Sequence, residues 1–224
     1  MRFLSVRKGL LAISLITAPV VLSGCATVDY AVKEKFGIEK RDILVDRVTD
    51  VAEAQGEAKE EFADALEAFR AVVDIRGGEL EETYDRLSDS YDRADDRAKK
   101  VRSRIKDMKG VSRDLFVEWE KELSEYSDPG LRRASEQQLE ATRDRYKVLV
   151  GKMDTAAGSM DPVLSVFKDR VLYLKHNLNA RAIAALGGES AELEADVSAL
   201  IADMERSIAD ADAFIAEMRS DGVS

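Results

Sequence analysis

Residues 80–126 read LEETYDRLSDSYDRADDRAKKVRSRIKDMKGVSRDLFVEWEKELSEY. Within them Leu80, Tyr84, Leu87, Tyr91, Ala94, Ala98, Val101, Ile105, Met108, Ser112, Leu115, Trp119, Glu122 and Tyr126 recur in alternating steps of four and three. That is a heptad seam, and the residues between its members are almost all charged. One face of such a helix packs while the others stay wet. As a continuous helix the stretch would be a rod of roughly 70 Å. Gly110 allows a bend or a split, and Ala94 and Ala98 allow a partner helix to approach closely.

The same stepping extends outward. Upstream, Leu44, Val48, Val51, Gln55, Ala58, Phe62, Ala65, Phe69 and Val72 mark a first helix from Arg41 to about Arg76, with Gly56 a weak point and Gly77-Gly78 a stop. Downstream, Ser127-Asp128-Pro129-Gly130 is a turn in which Asp128 caps and Pro129 opens a third helix, running from Leu131 to about Ala157. Its later face carries Leu139, Thr142, Tyr146, Leu149 and Met153. Gly158-Ser159 breaks it, and Asp161-Pro162 starts a fourth helix with Leu164, Phe167, Val171, Leu174 and Leu178 in phase, ended by Gly187-Gly188. Ser190 caps a fifth helix to about Met218, with Leu193, Val197, Leu200, Met204, Ile208, Ala211 and Ile215 inward. No stretch alternates with the period of a strand. The expectation is an all-α chain, an elongated antiparallel bundle or coiled coil of four to five long helices spanning residues 41–219, with a flexible tail at 220–224. Short links make chain neighbours the natural packing partners. The oligomeric state is left open.

Ahead of the helices lies a different kind of sequence. Arg2, Arg7 and Lys8 are followed by Leu10 to Leu22 with no charge, and then by Leu22-Ser23-Gly24-Cys25. A positive start, a short apolar run and small residues before a cysteine form an export leader with a lipoprotein processing site. Residues 1–24 would be removed, with cleavage between Gly24 and Cys25. The Cys25 thiolate would take a diacylglyceryl group and the new amino terminus a further acyl chain; several chains make a stable anchor where one is marginal. Residue 26 is Ala rather than Asp, which favours the periplasmic face of the outer membrane over inner-membrane retention. Residues 25–40 then form a lipidated connector with Tyr30, Val32, Phe36 and Ile38 loosely apolar.

Composition narrows the partners. The whole chain carries 34 Lys/Arg against 44 Asp/Glu. The leader accounts for three of the basic residues, so the remainder is near −13. That charge disfavours nucleic acid and broad adsorption to anionic lipid. With its single cysteine committed to lipid, the chain forms no intramolecular disulfide and must be held by packing.

The search for chemistry returns little. His176 is the only histidine, which excludes a histidine-built metal site and Cys/His zinc. It lies beside the Leu174/Leu178 face, where a half-buried structural role is the simpler reading; a general base would need a neighbouring carboxylate or nucleophile. Adjacent acidic pairs such as Glu60-Glu61 and Asp95-Asp96 point in different directions on a helix and read as solvated faces. Gly151-Lys152-Met153-Asp154 lacks both the upstream glycine and the following Ser/Thr of a phosphate loop. Neither a catalytic residue nor a cofactor or metal site emerges. Tyr84, Tyr91, Trp119 and His176 remain as candidates for a ligand or interaction surface. For the aromatic residues, seam packing with polar tips at the edge is the competing explanation. The segment from Lys40 to Val48 is dense in charge and bulky aliphatics, fitting either an ion-paired end cap or a docking face.

Two segments carry a resemblance: Gly37-Ile38-Glu39-Lys40-Arg41-Asp42-Ile43-Leu44-Val45-Asp46-Arg47-Val48, and Leu174-Lys175-His176-Asn177-Leu178-Asn179-Ala180-Arg181-Ala182-Ile183. Through them the chain resembles a family of uncharacterised proteobacterial lipoproteins, domain of unknown function 2959. The family usually has histidine where this chain has Glu39, which argues against a two-histidine site here. The resemblance implies a helical envelope lipoprotein over nearly the whole mature chain, and it brings no activity, substrate or cofactor. Two functions then compete. One is a non-enzymatic, membrane-tethered spacer or adaptor that presents its surface to an envelope protein. The other is a carrier of a hydrophobic or glycan ligand held between the helices near Tyr84, Tyr91 and Trp119.

Overall fold

The computed structural model describes residues 40–75, 80–188 and 190–221. The leader, Cys25, the connector and the Gly77-Gly78 stop lie outside the described residues. Six helical segments follow in order: α1 Lys40–Val73, α2 Leu80–Glu122, α3 Pro129–Gly158, α4 Met160–His176, α5 Ala180–Gly187 and α6 Ser190–Asp221. The fold is all-α, with no strand among the described residues.

Ion pairs between helices reveal direction and register. Glu61 meets Arg93 at 2.9 Å, Glu57 meets Arg97 at 2.7 Å and Asp50 meets Arg104 at 3.9 Å, so α2 descends as α1 rises. Lys109–Asp154 at 2.7 Å and Arg102–Asp161 at 2.9 Å set α3 and α4 antiparallel to α2. Arg145–Glu217 and Lys152–Asp210, at 3.0 and 2.6 Å, do the same for α6 against α3. Arg70–Glu194 at 2.9 Å and Lys59–Glu205 at 3.3 Å close the circuit from α6 to α1. The result is an up-down-up-down bundle: α1 packs on α2 and α6, and the α3–α4 pair packs on the same two helices.

The core is one continuous apolar cluster along the axis. Phe62 and Phe69 of α1, Leu87 and Met108 of α2, Met153 of α3, Phe167 of α4 and Leu193 and Leu200 of α6 are almost wholly enclosed. In α2 the seam from Leu87 to Leu115 is buried, save Tyr91, which is half-buried. The helix runs unbroken through Gly110. Burying an aliphatic side chain is worth ~1.5–3 kcal/mol, so these stripes are the main favourable term for helices that would be marginal alone.

Several local expectations change. Asp128 does cap α3, its Oδ1 accepting from Gly130 N at 2.6 Å and Leu131 N at 3.0 Å, with Pro129 at the first helical position. At Gly158-Ser159 the expected break is only a bend. Ser159 is itself right-handed helical, and α4 starts without a side-chain cap. Asp161 is in the first turn of α4 and pairs with Arg102 instead of capping. The fourth helix does not run to Gly187. It ends at His176, because Asn179 adopts an extended backbone and its side chain caps α5 through Arg181 N and Ala182 N. α5 then turns back on α1 so closely that a Cβ on Gly187 would lie 3.2 Å from Val73 Cγ1. Ser220 and Asp221, expected in a tail, belong to α6.

Candidate functional site

The four surface candidates do not converge. Tyr84 and Tyr91 are half-buried and pack against the core from the outer end of α2. Trp119 lies some 35 residues further along the same helix than Tyr84, about 52 Å away. No common wall can be built from residues so far apart. Burial, together with the carboxylates Asp95 and Asp92, raises the Tyr91 phenol above its ordinary value, which keeps it a neutral hydrogen-bonding group. Trp119 donates its indole N–H to Ser135 Oγ at 2.8 Å, tying α2 to α3. His176 is exposed at the C-terminal end of α4, not half-buried: the helix ends there, so the inward face it was phased against stops with it.

Around Glu57 the charges of α1 and α2 interlock. Its carboxylate takes Lys100 at 2.6 Å and Arg97 at 2.7 Å, and the Lys100 hydrogen bond, more than charge alone, holds its pKa below the usual glutamate value. Glu61 sits one turn on with Arg93. These carboxylates are fastened to cations and serve helix pairing rather than proton transfer. Among the described residues, no three His, Cys, Asp or Glu side chains are placed to hold a metal ion. No described helix is long and apolar enough to cross a membrane.

An open groove of about 620 Å³ lies between α2 and the α3–α4 bend. Ile105, Gly110, Val111 and Ala157 supply its apolar surface, and Arg102, Lys106, Lys109 and Arg113 rise along its α2 edge. Gly110 opens it, since a Cβ there would meet nothing within 4 Å. Three of the four cations are already engaged, Lys109 with both oxygens of Asp154 at 2.7 Å, Arg102 with Asp161 at 2.9 Å and Arg113 with Asp114 at 3.6 Å. The sequence pattern hinted at this feature only through Gly110, which reads as a bend when the facing helix is unknown.

At the end where α1 begins, the dense segment after Lys40 works as a clasp. Lys40 pairs with Glu118 of α2, and Arg41 donates to the Met218 carbonyl of α6 at 2.9 Å. Between them Ile43, Leu44, Val45 and Val48 drive into the core. Of the two readings of this segment, the ion-paired cap is the one its contacts fit.

The family described as "Protein of unknown function (DUF2959)" matches residues 29–218. The chain belongs to the DUF2959 family. Both motifs that carried the resemblance fall within the matched span, which reaches from the connector into the last turns of α6. No curated protein and no solved structure matches the chain. Within this DUF2959 chain the described part of the first motif, from Lys40 to Val48, forms the clasp of α1. The second forms the corner between α4 and α5, where the Asn177 side-chain amide donates to the Tyr173 carbonyl at 3.0 Å and Asn179 caps. Both motifs therefore have structural work at the two ends of the bundle.

Proposed function

We propose that this DUF2959 protein is a lipid-anchored envelope protein that acts without catalysis, as a helical spacer or adaptor on the periplasmic face of the outer membrane. The observation that carries the reading is Leu22-Ser23-Gly24-Cys25, with the chain's only cysteine placed directly after small residues at the end of an uncharged leader run. A thioether-linked diacylglyceryl group plus an amide-linked chain would hold the protein at a bilayer. Fourteen residues, 26–39, then lead to the clasp at Lys40. The body offers a long lateral surface on which cations such as Arg93, Arg97, Arg102 and Lys109 are engaged between helices, a form suited to holding two envelope components at a set distance.

Metabolic labelling with palmitate in cells carrying the parent or Cys25→Ser protein, followed by membrane fractionation, tests the anchor. The parent should be labelled and sediment with membranes, and the variant should be unlabelled and should keep its leader. Label persisting in the variant would overturn the anchor. For the adaptor role, solubilised envelopes should yield a reproducible protein partner; a freely monomeric, partnerless protein in native membranes speaks against it.

A carrier role is the second reading, and the open groove beside Gly110 favours it, because its volume suits a small ligand. Gly110→Trp would fill that groove. If mass spectrometry of the native protein reveals a co-purifying ligand that the variant lacks, the carrier reading displaces the spacer.

A further inference from the structure

Among the described residues the bundle has four helices over most of its length and two at one end. Lys40 at the start of α1, Glu118 on α2 and Met218 on α6 stand near one level, as the Lys40–Glu118 pair and the bond from Arg41 to the Met218 carbonyl place them. Beyond that level α6 finishes at Asp221, while α2 continues to Glu122 and α3 starts only at Pro129. The α2–α3 hairpin therefore projects past the start of α1 by about 10 Å. Two of the six exposed large apolar side chains among the described residues lie there, Leu131 at 61% and Tyr126 at 42%, and a third, Val117 at 45%, lies just short of it on α2. Leu123 and Trp119 lie half-buried beside them.

We infer that this hairpin tip is a bilayer-contact surface, seated in the interfacial layer of the membrane to which Cys25 attaches the chain. The inference rests on the lipid-anchor reading above. Residues 26–39 span at most about 50 Å even when fully extended, and they join the body at the very end from which the tip projects. Of all the apolar surface, the tip is thus the part held closest to lipid. Tyrosine and tryptophan favour that layer because each has an apolar ring and a polar edge, and Leu131 adds an aliphatic wedge at the turn. Arg132 and Arg133 follow it, long enough to keep their heads among phosphates while the stems lie along the acyl boundary. From residue 119 to 139 there are five acidic and three basic side chains, so apolar insertion and not attraction to anionic lipid drives the contact. A patch of two or three side chains would hold a free protein poorly. Tethering changes this by keeping the tip at an effective concentration on the order of millimolar. The contact orients the rod instead of letting it swing on its connector.

Trp119 is the only tryptophan in the chain and stands half-buried at the base of the hairpin, so its emission reports on lipid reaching the tip. The acylated full-length protein is placed in phosphatidylcholine vesicles with and without bromine-labelled acyl chains. Brominated lipid should quench Trp119. The double variant Tyr126→Asp, Leu131→Asp should lose most of that quenching, with helicity by circular dichroism unchanged because both side chains are exposed. Acyl mass on Cys25 with unquenched Trp119 overturns this inference alone. A Cys25 without acyl mass overturns the anchor and the inference together. A photo-crosslinker at position 131 that captures a protein instead of lipid in native envelopes would show a different occupant and also refute it.

Discussion

Ser112 of α2 and Tyr146 of α3 share a hydrogen bond of 2.6 Å across the interior of the bundle. The Tyr146 ring stands edge-on to Phe116 at 5.5 Å and tilts against Phe214 of α6 at 6.3 Å. One side chain thus joins three helices just below the clasp. Tyr146→Phe should lower the unfolding free energy by about 1 kcal/mol, the net worth of one hydrogen bond. Tyr146→Ala should cost about 3 kcal/mol because the aromatic contacts go as well. Urea unfolding of a soluble body beginning after Cys25 separates the two. Burial raises the Tyr146 pKa above its ordinary 10.0. Its contribution is therefore complete below pH 10 and lost as the pH climbs through the raised value.

Gln55 is a member of the α1 seam, fully enclosed, and neither its amide nitrogen nor its oxygen has a hydrogen-bond partner. Ser207 of α6 is equally buried and equally unpartnered. Desolvating an unpaired polar group costs about 1–3 kcal/mol. Gln55→Met, close in volume and free of polar hydrogens, should raise the melting temperature. A lower melting temperature would mean that the amide has a role in packing that its geometry does not reveal.

Ile105 is 4% exposed at the middle of α2. Ile105→Asp places a carboxylate in the buried seam, and a loss of about 3 kcal/mol is expected. A melting curve close to the parent's would refute the seam itself.

Glu57, Glu120 and Glu194 have pKa values held below their ordinary 4.5, chiefly by hydrogen bonds from Lys100, Arg143 and Arg70 respectively. The unfolded chain therefore takes up protons before the folded one does. Stability from these groups is present above pH 4.5 and drains away as the pH falls through the lowered values. All three carboxylates are exposed, so the loss should be modest and should shrink further in high salt. Unfolding midpoints at pH 7 and pH 3, each at low and high salt, check both the sign and the screening.

Much of the fold was legible because its signals are local. A face that returns every three or four residues marks a helix whatever it packs on, and most seam positions from Leu44 to Val72 and from Leu87 to Leu115 are buried. The errors came where a neighbour decides. Leu178 stays in phase with Leu174, yet the helix stops at His176 because Asn179 caps α5, so periodicity continued past the end of the element. Glu122 and Tyr126 continue the α2 seam on paper but are exposed, since α1 and α6 end short of them. The aromatic candidates failed to assemble for a simpler reason: residues on one straight helix stay as far apart as their numbers put them.

By itself the sequence determined that this chain is a set of long amphipathic helices, roughly where each turns and which stripe of each is buried. These are properties of dihedral preference, hydrophobic period and side-chain chemistry, all set within a few residues. Only the tertiary structure decided the order of the helices around the axis, the bend at Ser159, the groove over Gly110, the stranded amide of Gln55 and the hairpin that outruns its neighbours. Each of those depends on the register of one helix against another. Register is set by the summed packing of whole interfaces, which no local pattern encodes.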